Sequence, residues 1–458
     1  MKKNSCGGPI SRRSFLTLGT LGVAGLSLGD VMRLRASGGR TAAPETSVIF
    51  VWLAGGPPHL DMYDMKPEAP DEHRGPFRPI RTNVPGLEVC ELMPLHARCA
   101  DKYALIRSIS HTFNDHGGGS KRVMTGRIPA TPTDTVNDAP AVCTIVSKMR
   151  EHIDIGLPNV ISGADEGRTN VDTYAQGSAY LSRRYTPFIV GGDPSRPGFQ
   201  IGNIGLEQEM ATRLDDRFRL LQGVDGLRRQ LESNRTLAAM DANYQRAYSL
   251  MTSPHARLAF DLSREPWHVR DRYGMHAWGQ RALMARRLVE AGCSFVTMVM
   301  ENPHVQGCFY NWDTHAANHD NFNDMRLRLP RYDQAITALI EDLHARGLTQ
   351  KVMLVVTGEF GRSPRISRAE GPQGLRLGRE HWPHSMSVLV AGGGMRHGQV
   401  VGSTDALGTF PRENPLTPND LWATVYRHLG IDPHATVPDQ QERPIHILPF
   451  GEPIRELT

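Results

Sequence analysis

Ser47-Val48-Ile49-Phe50-Val51-Trp52-Leu53 is an unbroken apolar run that stops at Ala54-Gly55-Gly56-Pro57-Pro58. A strand with one solvated face would alternate apolar and polar residues. A continuous run closed by a Gly/Pro loop is instead that of a parallel strand buried on both faces. Similar short runs recur at Ser294–Met300, Val352–Thr357 and Ser387–Val390, each closed by Gly or a polar loop. Helical spacing fills Trp278–Ala291 and Tyr332–Ala345 between them. Strands alternating with helices of that length predict an α/β domain, a mostly parallel sheet covered by helices on both faces.

Before this domain, Ser11-Arg12-Arg13-Ser14-Phe15-Leu16 precedes a Gly-rich apolar stretch, Leu16–Leu28. Spanning a bilayer as a helix takes about 20 residues, so this shorter stretch reads as the h-region of a twin-arginine signal over residues 1–40. Export in folded form by the twin-arginine machinery, to the periplasm or outside the cell, is the expectation. No second apolar run is long enough to span a membrane. Residues 1–40 hold seven Lys/Arg and one Asp, so removing their +6 turns the whole-chain +4 into −2. A mature chain that is not basic argues against non-specific nucleic-acid binding.

The remaining sequence, 41–458, is expected to form a single domain. Residues 205–262 depart from the pattern and carry Arg, Leu, Asp and Glu at helical spacing, which predicts a helical insertion. Five cysteines remain after residue 40, an odd number at irregular spacing, so neither a disulfide framework nor a CxxC zinc site is predicted.

Polar clusters sit beside the apolar runs. They are Pro58-His59-Leu60-Asp61, Asn114-Asp115-His116-Gly117, Asp313-Thr314-His315 and Gly358-Glu359-Phe360-Gly361-Arg362, with His381-Trp382-Pro383-His384 before the last run. In open α/β sheets ligands collect outside the carboxyl ends of the strands. The clusters offer carboxylate oxygen and imidazole nitrogen, which suit zinc, manganese, magnesium or calcium rather than a thiolate-bound metal.

These strings, together with Asn311-Trp312-Asp313-Thr314-His315 and Arg379-Glu380-His381-Trp382-Pro383, resemble the bacterial family called domain of unknown function 1501, from about Val48 to Leu448. That family is placed in the alkaline phosphatase and sulfatase superfamily. The resemblance implies an alkaline-phosphatase-like three-layer sandwich. It also aligns Asp115–Gly126 with the superfamily's nucleophile segment, which puts His116 where a serine or threonine is usual. His315 matches a metal ligand of the superfamily pattern D-x-x-x-H, with Asp313 standing in for its carboxylate. Glu359-Phe360 replaces an Asp-His pair, and His381 or His384 fits a final histidine ligand. Sulfatase formylglycine needs Cys or Ser at the head of C-x-P-x-R, and Gly192-Asp193-Pro194-Ser195-Arg196 has Gly there, so that cofactor cannot form.

The expectation is an exported hydrolase-like protein for a phosphate or sulfate ester of a small molecule or polysaccharide. A divalent metal, zinc first and manganese or calcium as alternatives, would be held by ligands drawn from Asp61, Asp313, His315, Glu359, His381 and His384. His116, backed by Asp115, would be a ligand or general base, and Arg362 an anion clamp. The competing expectation is a catalytically degenerate binding or scaffold protein of an envelope complex.

Overall fold

Residues 46–458 are described in the computed structural model, apart from 135, 154, 170–172, 200, 202–252 and 373. The expected signal segment and the insertion up to residue 252 lie outside the described residues. The described end of the insertion holds the helix Pro254–Phe260.

The opening apolar run is the strand β1, Ser47–Trp52, and every residue of it is buried. It lies inside an eight-stranded sheet. The other strands are β2 (Tyr103–Ile109), β3 (Val160–Ala164), β4 (Phe188–Gly191), β5 (Phe295–Val299), β6 (Val352–Thr357), β7 (Met386–Gly392) and β8 (Gln399–Val401). The spatial order is β8-β2-β7-β6-β1-β5-β3-β4. β1 pairs in parallel with β5 and β6. Only β7 runs backwards, antiparallel to both β2 and β6.

Successive β1 side chains face opposite sides of the sheet, which builds two cores. Ile49 and Val51 pack in a cluster with Leu283 and Leu288 of α3 (Ala277–Glu290) and Leu329 and Ile336 of α4 (Asn321–Ala345). Val48, Phe50 and Trp52 cluster with Val123 of α1 (His116–Thr125), Ile145 of α2 (Val142–Met149) and Trp422 of α5 (Pro418–His428). The result is the expected three-layer sandwich, with one reversed strand that the sequence reading did not separate from the parallel set.

α4 starts eleven residues before the predicted Tyr332. Pro330 inside the helix removes one donor and costs about 3 kcal/mol, which is why the helical reading began after it. Asp320 caps the true start by accepting from Asn323 N, and buried Phe322, Met325 and Leu329 anchor the first turns. No helix of the described residues is long and apolar enough to cross a membrane. All five described cysteines are free thiols.

Candidate metal centre

β2, β5 and β6 are parallel, so their C-terminal ends open on one edge of the sheet. The reversed β7 brings its N-terminal end to that edge. The segments meeting there are the start of α1 after β2, the loop after β5, the residues after β6, and the approach to β7. They deliver His116, Asp313 with His315, Glu359, and His381.

Asp313 is the hub. Its Oδ1 lies 2.6 Å from His315 Nε2 and 2.9 Å from His381 Nε2, and its Oδ2 lies 3.0 Å from His116 Nε2. The Nε2 atoms of His315 and His381 are 3.1 Å apart. Ligand atoms of His116, Asp313 and His381 all fall within 4.8 Å of one another, a spacing that metal–nitrogen and metal–oxygen bonds of about 2.0–2.2 Å can span.

The far nitrogen settles what the near one offers for His381, and sets it for the other two rings when they are neutral with hydrogen on Nδ1. His381 Nδ1 donates to Asn114 O at 2.6 Å, and a carbonyl can only accept. His315 Nδ1 faces Glu380 Oε2 at 2.7 Å, and His116 Nδ1 faces Glu359 Oε1 at 2.8 Å. With hydrogen on Nδ1, each neutral ring turns a bare lone pair on Nε2 toward Asp313, itself an acceptor. Arg362 Nη1 reaches His315 Nε2 at 3.4 Å, but lone pairs of His116 and His381 aimed at a carboxylate repel it unless a metal or a proton lies among them. Outer acceptors on metal-bound imidazoles play this tautomer-fixing part.

Without a metal, protons supply the positive charge. Burial pulls the His116 imidazolium down, but hydrogen bonds and charge from Asp313 and Glu359 outweigh it and push its pKa up to about 10. Burial alone would raise the Asp313 carboxyl. Its hydrogen bonds to the three histidines and the Arg362 charge hold it well below the usual carboxylate range. Burial lowers His381, against the pull of Asp313.

Glu359 is 2% exposed at the end of β6. Its Oε1 accepts from Gly55 N at 2.8 Å as well as from His116, whereas Oε2 is buried with no partner among the described residues. Gly55 has φ +111°, and a Cβ there would run into the backbone of Trp312 and Asp313. The Gly-Gly turn after β1 is therefore what lets the Asp313 loop close over it. The Phe360 ring lies 5.4 Å from the His116 ring and 4.3 Å from that of His381. A Cβ on Gly119 would meet Phe360 at 2.9 Å, so α1 approaches this ring closely because it carries glycine.

Four expectations are corrected. Arg362 is wholly buried and cannot clamp an incoming anion. Its Nε donates to Gly56 O at 2.7 Å, Nη1 to Arg379 O at 3.2 Å, and Nη2 to Gly55 O, to Trp312 O at 3.0 Å and to Asp313 Oδ1 at 2.9 Å. It fastens the glycine turn to the Asp313 loop and neutralises Asp313. Asp61 is outside the cluster because both its oxygens are held by buried Arg379, at 2.7 and 3.0 Å. His384 packs instead against Trp382 and Phe410, with ring centres 5.0 and 5.4 Å away. Asp115 does not back His116. It is the N-cap of α1, accepting from Gly118 N at 2.7 Å, and Glu359 takes the backing role. The sequence reading gave no part to Glu380 or to the carbonyl of Asn114, although both lie in the quoted clusters.

The profile of the family described as "Protein of unknown function (DUF1501)" matches residues 45–458. No curated protein matches the chain. Solved structures similar to it include the lipoteichoic acid synthase LtaP from Listeria monocytogenes, at 11% identity and TM-score 0.38, covering 89% of this chain and 75% of that one. The PsFucS1 sulfatase from Pseudoalteromonas sp. is similar at 12% identity and TM-score 0.36, covering 88% and 70%. The phosphonate monoester hydrolase SpPMH from Silicibacter pomeroyi is similar at 12% identity and TM-score 0.37, covering 85% and 74%.

Proposed function

This chain belongs to the DUF1501 family, and from that premise we propose that it is an exported, metal-dependent hydrolase of a phosphate or sulfate ester. The observation that carries the reading is the set of three imidazoles whose outer nitrogens are each tied to an acceptor while their inner nitrogens face one carboxylate. Asp313, His315 and His381 would hold a divalent ion, zinc first, and His116 stands on the opposite oxygen of Asp313. Such an ion, when bound, polarises an ester oxygen and lowers the pKa of a water.

The chain's own residues do the rest. His116 has a half-open side chain and a buried carboxylate behind it, the arrangement of an imidazole that takes a proton at Nε2 and keeps its orientation through Nδ1. Arg362 keeps Asp313 ionised, and Glu380 and Asn114 O keep His315 and His381 turned inward. The leader over residues 1–40 supports folded export, with the ion loaded beforehand.

The test is metal analysis of protein purified from its native compartment, followed by a panel of aryl phosphate, phosphodiester and aryl sulfate substrates. About one equivalent of metal and a hydrolysed member of the panel are expected, with His116→Ala and Glu359→Ala each losing activity by about 10²-fold or more. Far less than one equivalent of metal favours the binding or scaffold reading. Activity indifferent to both substitutions rules out this site.

A further inference from the structure

The side chains around the Asp313 hub differ in how far they open to solvent. Asp313, His315 and His381 are 16%, 16% and 18% exposed, whereas His116 is 40% and Glu380 55% exposed. His116 stands on one oxygen of Asp313, and Glu380 stands behind His315 on the other, so an ester reaching the hub comes in past both. Glu380 is one ring away from the hub. Its Oε2 lies 2.7 Å from His315 Nδ1, and His315 Nε2 lies 2.6 Å from Asp313 Oδ1. Its Oε1 accepts from Ser367 Oγ at 2.8 Å, and no Lys or Arg among the described residues pairs with it.

Three carboxylates, Asp313, Glu359 and Glu380, are bound into the cluster, and Arg362 is the one guanidinium among the described residues that pairs with any of them. Arg379, next to Glu380 in the chain, is matched by Asp61. With the imidazoles neutral, as ligands and a base must be, two negative charges remain, and one divalent ion cancels them. The loaded centre has no net positive charge to set against a second charge on the ester. A phosphate monoester carries two charges at neutral pH, its second pKa being about 6, whereas a sulfate monoester or a phosphate diester carries one.

Resting on the metal-centre reading above, we propose that this site selects a singly charged ester, a sulfate monoester or a phosphate diester, over a doubly charged phosphate monoester, and that Glu380 at its mouth sets the choice. A bare divalent ion draws a dianion more strongly than a monoanion, so the selection comes from the protein's carboxylates. Repulsion scales with the product of the charges. Glu380 therefore acts on a dianion with twice the free energy that it exerts on a monoanion, and its effect on affinity is squared.

The test is isothermal titration of the whole zinc-loaded protein at about pH 8, with free zinc buffered, against methyl sulfate, dimethyl phosphate and methyl phosphate. The two monoanions are expected to bind the parent chain more tightly than methyl phosphate does. Glu380→Gln, whose amide oxygen can still accept from His315, should tighten the monoanions about threefold and methyl phosphate about tenfold, the latter one 1.4 kcal/mol step. Glu380→Asp keeps the charge and should stay within about twofold of the parent for all three. The hydrolysed member of the substrate panel, aryl sulfate or phosphodiester, then tells the two ester classes apart. Four results would overturn the proposal: no binding of any anion, methyl phosphate tighter than methyl sulfate in the parent, equal gains for the three anions in Glu380→Gln, or a Glu380→Gln chain that holds no zinc, which would make Glu380 only a support of His315. None of these touches the reading beneath, which fails instead if the parent holds no zinc.

Discussion

Glu359→Gln is the sharpest probe of the metal centre, because it changes charge and hydrogen count at almost constant shape. In the parent chain Oε1 accepts two hydrogen bonds at 2.8 Å, from His116 Nδ1 and Gly55 N. If the amide oxygen takes that place, the new NH₂ falls where Oε2 now lies buried without a partner, and His116 loses the charge that holds its tautomer. If the amide turns over, its NH₂ meets two donors and His116 must carry its hydrogen on Nε2, which removes that lone pair. Either outcome disturbs His116, the outer partner on the second oxygen of the proposed ligand Asp313, and losing such a partner costs about 10–100-fold in metal affinity, or about 1.4–2.8 kcal/mol. The assay is competition of the metal-free protein against a chelator of known zinc affinity, with far-ultraviolet circular dichroism to confirm the fold. A zinc affinity within about twofold of the parent would refute the proposed link between Glu359, the His116 tautomer and the metal.

Other outcomes follow from the same structure. Arg379→Met strands the buried Asp61 carboxylate, whose burial already raises its pKa against the pull of Arg379, and should cost about 3–5 kcal/mol in a urea melt; a loss under about 1 kcal/mol would show that Asp61 is not held by that pair. Burial lowers His59 and His111 to about 4. Their unfolded forms take a proton near pH 6.5 and their folded forms only near pH 4, so stability should fall as pH drops through that window, by up to about 3 kcal/mol for each group. A urea midpoint with the same slope from pH 6.5 to 4.5 in His59→Asn as in the parent would contradict this. In the metal-free chain the raised His116 works the other way. Its contribution is complete below about pH 6.5 and is lost as pH climbs through about 10, so the melting temperature should fall more steeply between pH 8 and 10 than in His116→Gln; parallel curves would count against the protonated imidazole.

The layers of the fold were legible because burial on both faces leaves a strand with no charged residue and at most one hydroxyl, and β1, β5, β6 and β7 all carry that mark. The direction of β7 was not, since a strand buried on both faces reads the same either way along the chain. The ligand-bearing clusters were visible at strand ends, but composition could not say which carboxylate serves which neighbour. Asp115 stands next to His116 in sequence, yet a helix cap needs that carboxylate, while Glu359 reaches the ring from 243 residues away. Arg362 looked like a free guanidinium because its true partners, the carbonyls of Gly55, Gly56 and Trp312, leave no trace in side-chain chemistry. Glu380 passed unnoticed beside His381 because its partner, His315, lies 65 residues back.

The reversed strand also fixes the order in which the centre can come into being. His381 enters only after both antiparallel neighbours of β7 have left the ribosome, and β7 can dock only between β2 and β6 once both are laid down. A nascent or clipped chain ending before residue 381 therefore owns the hub aspartate and two of the imidazoles but not the closed cage. Under the proposed metal-dependent function, tight cation uptake would be a signature of a finished polypeptide, and for a protein proposed to leave the cell already folded, metal retention would distinguish mature molecules from incomplete ones.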